Sequence, residues 1–82
     1  MSPTLLKVKH YRFLFFSKEE KRMYVHIISS YGEAKYWLEP EISLAKNYNF
    51  NQSELNEIEQ IIRENLERFK NEWQKHFKDR NN

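Results

Sequence analysis

Seven apolar residues in the second half of the chain constrain its fold more than any other feature. Leu55, Ile58, Ile62, Leu66, Phe69, Trp73 and Phe77 recur at steps of three and four, the spacing that lines one face of an α-helix. Such a stripe is not stable alone in water and requires an apolar surface to lie on. The start of the helix is specified locally. Asn51 followed three residues later by Glu54 is a capping-box pattern, and Phe50 and Leu55 are placed to form the accompanying hydrophobic staple. Glu59/Arg63 and Glu64/Arg68 form i,i+4 pairs on the flanks. The spacing predicts one helix from Gln52 to Lys78, about 40 Å long at 1.5 Å per residue.

The surface to receive it is found in the first half. Leu5–Lys9, Tyr11–Phe16, Arg22–Ser29 and Ala34–Leu38 read as strands rich in aromatic and β-branched residues. A polar loop at 17–21 joins the second to the third, and Tyr31-Gly32 is expected at a tight turn using positive φ at Gly32. Glu39-Pro40 then reads as the opening of a short helix, with Pro40 at its first position and Asn47 and Asn49 ending it. The expected fold is α+β: an antiparallel three- to four-stranded β-meander, a short helix and a long amphipathic C-terminal helix packed on one sheet face. Residues 1–78 are expected to form a single domain and 79–82 a disordered tail. An antiparallel strand of about six residues spans only about 20 Å. Trp73 and Phe77 are therefore expected to overhang the sheet and contact a partner chain or a second copy.

Composition restricts the classes of function. The 82 residues include six Phe, five Tyr and two Trp, enough aromatic area for one compact core. With no Cys there is neither a disulfide nor a thiolate metal site. His10, His26 and His76 stand far apart without a metal-binding spacing, so no metal and no cofactor is expected. Lys7, Lys9 and Arg12 interrupt any apolar leader, and no stretch approaches the roughly 20 apolar residues of a membrane span. The expectation is a soluble cytoplasmic protein. Its net charge of +2 divides into +4 over residues 1–38 and −2 over residues 39–82. A basic sheet beside an acidic helical half suits a polyanion bound on the sheet. A helix–turn–helix DNA reader is excluded, because the first turns of the long helix present Glu54, Glu57 and Glu59 to the phosphates.

Alternation assigns two sheet faces. Phe13, Phe15, Met23, Val25, Ile27, Ala34, Tyr36 and Leu38 share the face expected to meet the helix. Arg12, Leu14, Phe16, Tyr24, His26, Ile28, Lys35, Trp37 and Glu39 share the other. In the expected register His26 lies opposite both Arg12 and Trp37, Leu14 opposite Tyr24, and Ile28 opposite Lys35. Arg12, Tyr24, His26 and Lys35 around Trp37 have the parts for RNA chemistry without a metal: His26 as acid or base, Tyr24 as proton donor, and Arg12 or Lys35 as the cation facing a crowded phosphate. Trp37, Arg22, Phe16 and Glu39 extend this into a surface for nucleic acid or a partner. Single-strand binding without chemistry would use the same groups. An enzyme of this kind would be a metal-independent ribonuclease; the composition leaves open whether the chain is catalytic.

Four blocks carry a family resemblance. Met-Ser-Pro-Thr with Tyr11-Arg12-Phe13, Met23-Tyr24-Val25-His26, the run Gly32-Glu33-Ala34-Lys35-Tyr36-Trp37-Leu38-Glu39-Pro40, and Leu44-Ala45-Lys46-Asn47 resemble the bacterial domain-of-unknown-function family numbered four thousand one hundred and sixty. The resemblance implies two alternating histidines in the second block. This chain has Tyr24 in place of the first and keeps His26, a departure that removes the basis for a two-histidine metal or acid–base pair. It also implies a toxin–antitoxin-type component, a toxin or its partner, working with a cognate small protein; RNA as a target comes from the residues of the open face. The alternative is a non-enzymatic adaptor or structural subunit using the exposed sheet face and the C-terminal helix.

Overall fold

A computed structural model describes residues 4–15 and 22–80, with side chains described as far as residue 75. The loop at 17–21, Phe16, the side chain of Phe77 and the last two residues lie outside the described part. The fold is α+β. Five strands, β1 (Thr4–Val8), β2 (Tyr11–Leu14), β3 (Tyr24–Ile28), β4 (Glu33–Trp37) and β5 (Ser43–Tyr48), form one antiparallel sheet in sequence order. Two helices follow, α1 (Gln52–Glu64) and α2 (Leu66–Arg80).

The segment expected to be a short helix is instead the edge strand β5. It pairs with β4 from Glu33↔Tyr48 to Trp37↔Ser43, with an irregularity between Lys35 and Tyr36 that leaves Ala45 outside the register. Pro40 does not begin a helix; it lies in the bend before β5, after a cis Glu39–Pro40 peptide bond. Pairing satisfies backbone groups along β4 that an isolated helical turn would leave unpaired.

The core face falls as the alternation predicts, but Leu14 and Tyr24, expected on the open face, are buried as well, Tyr24 against Trp73. Phe13, Phe15, Val25, Ile27, Ala34, Tyr36 and Leu38 are buried, Met23 is half-buried, and Tyr11 joins them with no exposure. The register differs by two residues: Tyr24↔Trp37, His26↔Lys35 and Ile28↔Glu33 on one side, Arg12↔Ile28 and Leu14↔His26 on the other. A slip of two keeps every side chain on its own face. The β3–β4 shift comes from the turn, whose tip is Ser30-Tyr31: the Ser29 N–H donates to the Gly32 carbonyl at 2.9 Å. Ser29 Oγ accepts from the N–H groups of Tyr31 and Gly32 at 3.2 and 3.1 Å. Gly32 does not take positive φ. It is required for closeness, since a Cβ there would stand 2.9 Å from the Tyr48 carbonyl oxygen and 3.0 Å from the Phe50 ring.

The start of α1 matches its sequence pattern. Asn51 Oδ1 accepts from the Glu54 N–H at 2.8 Å, and Glu54 Oε1 accepts from the Asn51 N–H at 2.9 Å. Arg63 pairs with Glu59 at 3.0 Å. The expected single helix is broken at Asn65, whose N–H is shared between the carbonyls of Ile61 and Ile62 and whose Nδ2 donates to Ile61 at 2.8 Å. A side chain that competes for a helical carbonyl bends a helix. Past the break, Phe69 stacks on Phe13 at 5.7 Å, and Trp73 meets Phe15 and Tyr24 edge-on at 5.0 and 4.9 Å. Trp73 is only 6% exposed, so it closes the core and does not overhang. The helix also continues through residues 79 and 80, where a disordered tail is expected from the sequence.

Candidate nucleic-acid interface

Three strands bring the site together on the sheet face that carries His26, Lys35 and Trp37, whose Tyr24 end is covered by Trp73 of α2. Their pairing makes two adjacent cross-strand rows: Leu14–His26–Lys35–Lys46, and Tyr24–Trp37–Ser43. Directly opposed residues share a face, so alternation along β3 and β4, with the irregularity at Ala45 in β5, sets these groups side by side.

Trp37 is the centre of the charge arrangement. The Arg22 guanidinium carbon lies 4.3 Å from its ring centroid and the Lys35 ammonium 4.4 Å away. Lys35 also stands 4.7 Å from the Tyr24 ring centroid, and Tyr24 meets His26 edge-on at 5.4 Å. Cations over aromatic faces gain about 0.5–2 kcal/mol according to their exposure, which holds both charges near the tryptophan. Arg22 is further fixed by donating from Nε to the Glu39 carbonyl at 2.8 Å, and Glu39 Oε2 accepts from the Met23 N–H at 3.1 Å. Glu39 thus anchors the start of β3.

Beside this cluster lies an open groove of about 510 Å³ lined by His26, Glu33, Lys35, Lys46 and Tyr48 together with Ala34 and Asn47. Lys46 is the residue that sequence reasoning missed. The sequence pattern places it on a short helix, and only the pairing of β5 with β4 sets it opposite Lys35. Two lysines facing each other across a ladder repel, and a bound anion would relieve that repulsion.

The proposed catalytic set converges only in part. Tyr24, His26, Lys35 and Trp37 come together, but Arg12 does not join them. Its Nη2 and Nε donate to Thr4 Oγ1 at 2.8 and 3.3 Å, toward β1. Tyr24 is 1% exposed beneath Trp73, His26 and Lys35, and His26 is half-buried. These positions suit a charged binding surface better than an open acid–base site.

A second polar cluster fastens the opposite end of the sheet to α1. Tyr11 donates to Glu57 Oε1 at 2.9 Å, and Lys9 pairs with the same carboxylate. The bonds from Lys9 and Tyr11 hold the Glu57 carboxyl below its ordinary range. Burial, followed by the bond to Glu57, raises the Tyr11 phenol well above its ordinary value. His10 bonds Tyr31 at 3.1 Å, and Tyr31 donates to Glu54. This cluster is exposed at His10 and Tyr31 and joins two β-turns to the first turns of the helix.

Among the described residues no group of three His, Cys, Asp or Glu side chains is arranged to hold a metal. Nor is any described helix long and apolar enough to cross a membrane.

The family model described as Domain of unknown function (DUF4160) matches residues 11–74, which span β2 through most of α2. The chain belongs to this family. No curated protein and no solved structure matches it. The matched stretch contains every residue of the cationic rows, so in this DUF4160 member the surface is built on the family domain itself.

Proposed function

We propose that this protein is a cytoplasmic toxin–antitoxin-type component that acts on RNA by binding a single strand on its open sheet face, alongside a cognate small partner protein. The observation that carries this reading is the convergence of Arg22 and Lys35 over Trp37, with His26 and Lys46 in the adjoining row. A polyanionic backbone is the ligand such a cluster attracts, and flat bases fit a sheet surface bearing aromatic side chains. The acidic first turns of α1 favour the sheet over the helical side, since Glu54, Glu57 and Glu59 would repel the same ligand. Binding is favoured over cleavage by the burial of Tyr24 and the diversion of Arg12 to Thr4.

The test is a titration of a labelled single-stranded RNA, read by fluorescence anisotropy across a range of salt. Three engaged cations predict a log–log salt slope of about −2, at roughly 0.7 per neutralised phosphate. Lys35→Ala and Lys46→Ala should each flatten that slope by about 0.7. A salt-independent affinity, or one that neither variant alters, defeats the reading. Recovery of the RNA after incubation checks the chemistry: intact RNA agrees with binding alone, whereas cleavage abolished by His26→Ala would establish the ribonuclease alternative.

A further inference from the structure

The two outer strands of the sheet are finished differently. Both carry a register shift, β1 between Thr4 and Leu6 and β5 at Ala45, but only at β1 does a helix side chain reach the strand: Arg68 from α2 donates to the Leu5 carbonyl at 2.9 Å. A covering contact of this kind blunts an edge against further pairing. At β5, among the described residues, no further strand pairs with the outer side. Of the large apolar side chains exposed among those residues, Leu44 at 45% and Tyr48 at 70% both lie on this strand. Lys46 stands between them, exposed and without an ion pair among the described residues, and the cationic groove begins at its side.

We propose that the outer edge of β5 is a docking site for an extended acidic strand of a partner protein, which pairs as a sixth strand and sets a carboxylate against Lys46. Main-chain pairing supplies the affinity in such additions, and alternate side chains supply the specificity. The charge of the edge selects the occupant. Lys46, with Lys35 next to it on β4, favours a carboxylate directly beside it, while Glu33, opposite Tyr48, disfavours a second one at that end of the strand. A second copy fits less well: twofold antiparallel pairing near the middle of β5 would bring Lys46 beside Lys46 of the other copy. This inference goes beyond the RNA reading, because it concerns the edge of the sheet and not its face.

The full chain is titrated with a labelled synthetic peptide of about eight residues that alternates valine with glutamate, a length matched to strand dimensions. A peptide alternating valine with lysine and an N-methylated form of the first serve as controls. Binding of the valine–glutamate peptide alone is expected, together with slowed amide hydrogen exchange within Ser43–Tyr48. Lys46→Glu should weaken it about tenfold, from loss of attraction plus new repulsion, and should bring in the valine–lysine peptide. Lys46→Gln, which keeps the strand and removes only the charge, should fall between.

No binding, equal binding of the N-methylated peptide, or binding without slowed exchange in β5 would each overturn the proposal. So would a concentration-dependent dimer whose β5 amides are slowed without peptide, which would make a second copy the occupant. RNA titrated on the same samples keeps the two ideas apart. RNA binding without peptide binding sinks the docking site alone, and the reverse result sinks the RNA reading alone.

Discussion

Tyr36 lies buried beneath α1, where its hydroxyl donates to the Leu55 carbonyl at 3.3 Å. Burial, and secondarily the Glu59 carboxylate, push its pKa up from 10.0 to about 12. Because the folded value lies above the unfolded one, the stability this phenol contributes is fully present below pH 10 and is lost as pH rises toward about 12. Tyr11 shifts in the same direction. Urea denaturation repeated from neutral pH to pH 12 should therefore show stability falling across that window. Tyr36→Phe should make the fall shallower while costing about 1 kcal/mol at neutral pH for the lost hydrogen bond; an unchanged slope would count against the assignment. Gly32 gives a second test at this scale. An added Cβ would press on the backbone oxygen of Tyr48 at 2.9 Å, a contact that cannot be relieved by rotating a side chain. Gly32→Ala should cost about 1–3 kcal/mol, the usual range for overpacking, read as a lower urea midpoint with an unchanged slope.

Among the elements, α1 depends most visibly on local chemistry. Its capping box satisfies two backbone donors reciprocally, so Asn51→Ala should lower stability by about 1 kcal/mol, measured by chemical denaturation. This start was legible in the sequence because the pattern lies within four residues. The two sheet faces were legible because a strand has a period of two, which even a misplaced turn did not upset. The edge strand was not legible. In Ser43–Tyr48 the irregularity at Ala45 breaks the alternation, setting Leu44 and Asn47 opposite core-face partners and Ser43, Lys46 and Tyr48 opposite open-face ones. Over so few residues that spacing is indistinguishable from a helical one. Two further differences follow from this one. The reason for Gly32 is contact with Tyr48 and Phe50, and Lys46 enters the site only when β5 pairs with β4. The break at Asn65 was hidden for another reason: the apolar stripe runs through it without interruption, and a single asparagine marks the end of α1.

At the scale of the whole molecule, the open face of the sheet gathers three cations, Arg22, Lys35 and Lys46, beside Glu33, while the first turns of α1 are acidic. An RNA strand on the face and an acidic strand on the β5 edge would therefore meet at the same lysine. The added strand would direct a carboxylate at Lys46 and toward the groove that it shares with Lys35 and His26, removing the cations that the RNA needs. Each ligand should weaken the other by the same factor, since coupling between binding sites is reciprocal. With the valine–glutamate peptide at about ten times its dissociation constant, the apparent Kd for RNA should rise about tenfold if the two exclude each other. Saturating RNA should raise the apparent Kd of the peptide equally. Lys46→Gln should reduce both effects together, because it removes the charge for which they compete. Anisotropy titrations of each labelled ligand in the presence of the other measure both directions. Additive binding with no mutual effect would mean that face and edge work independently.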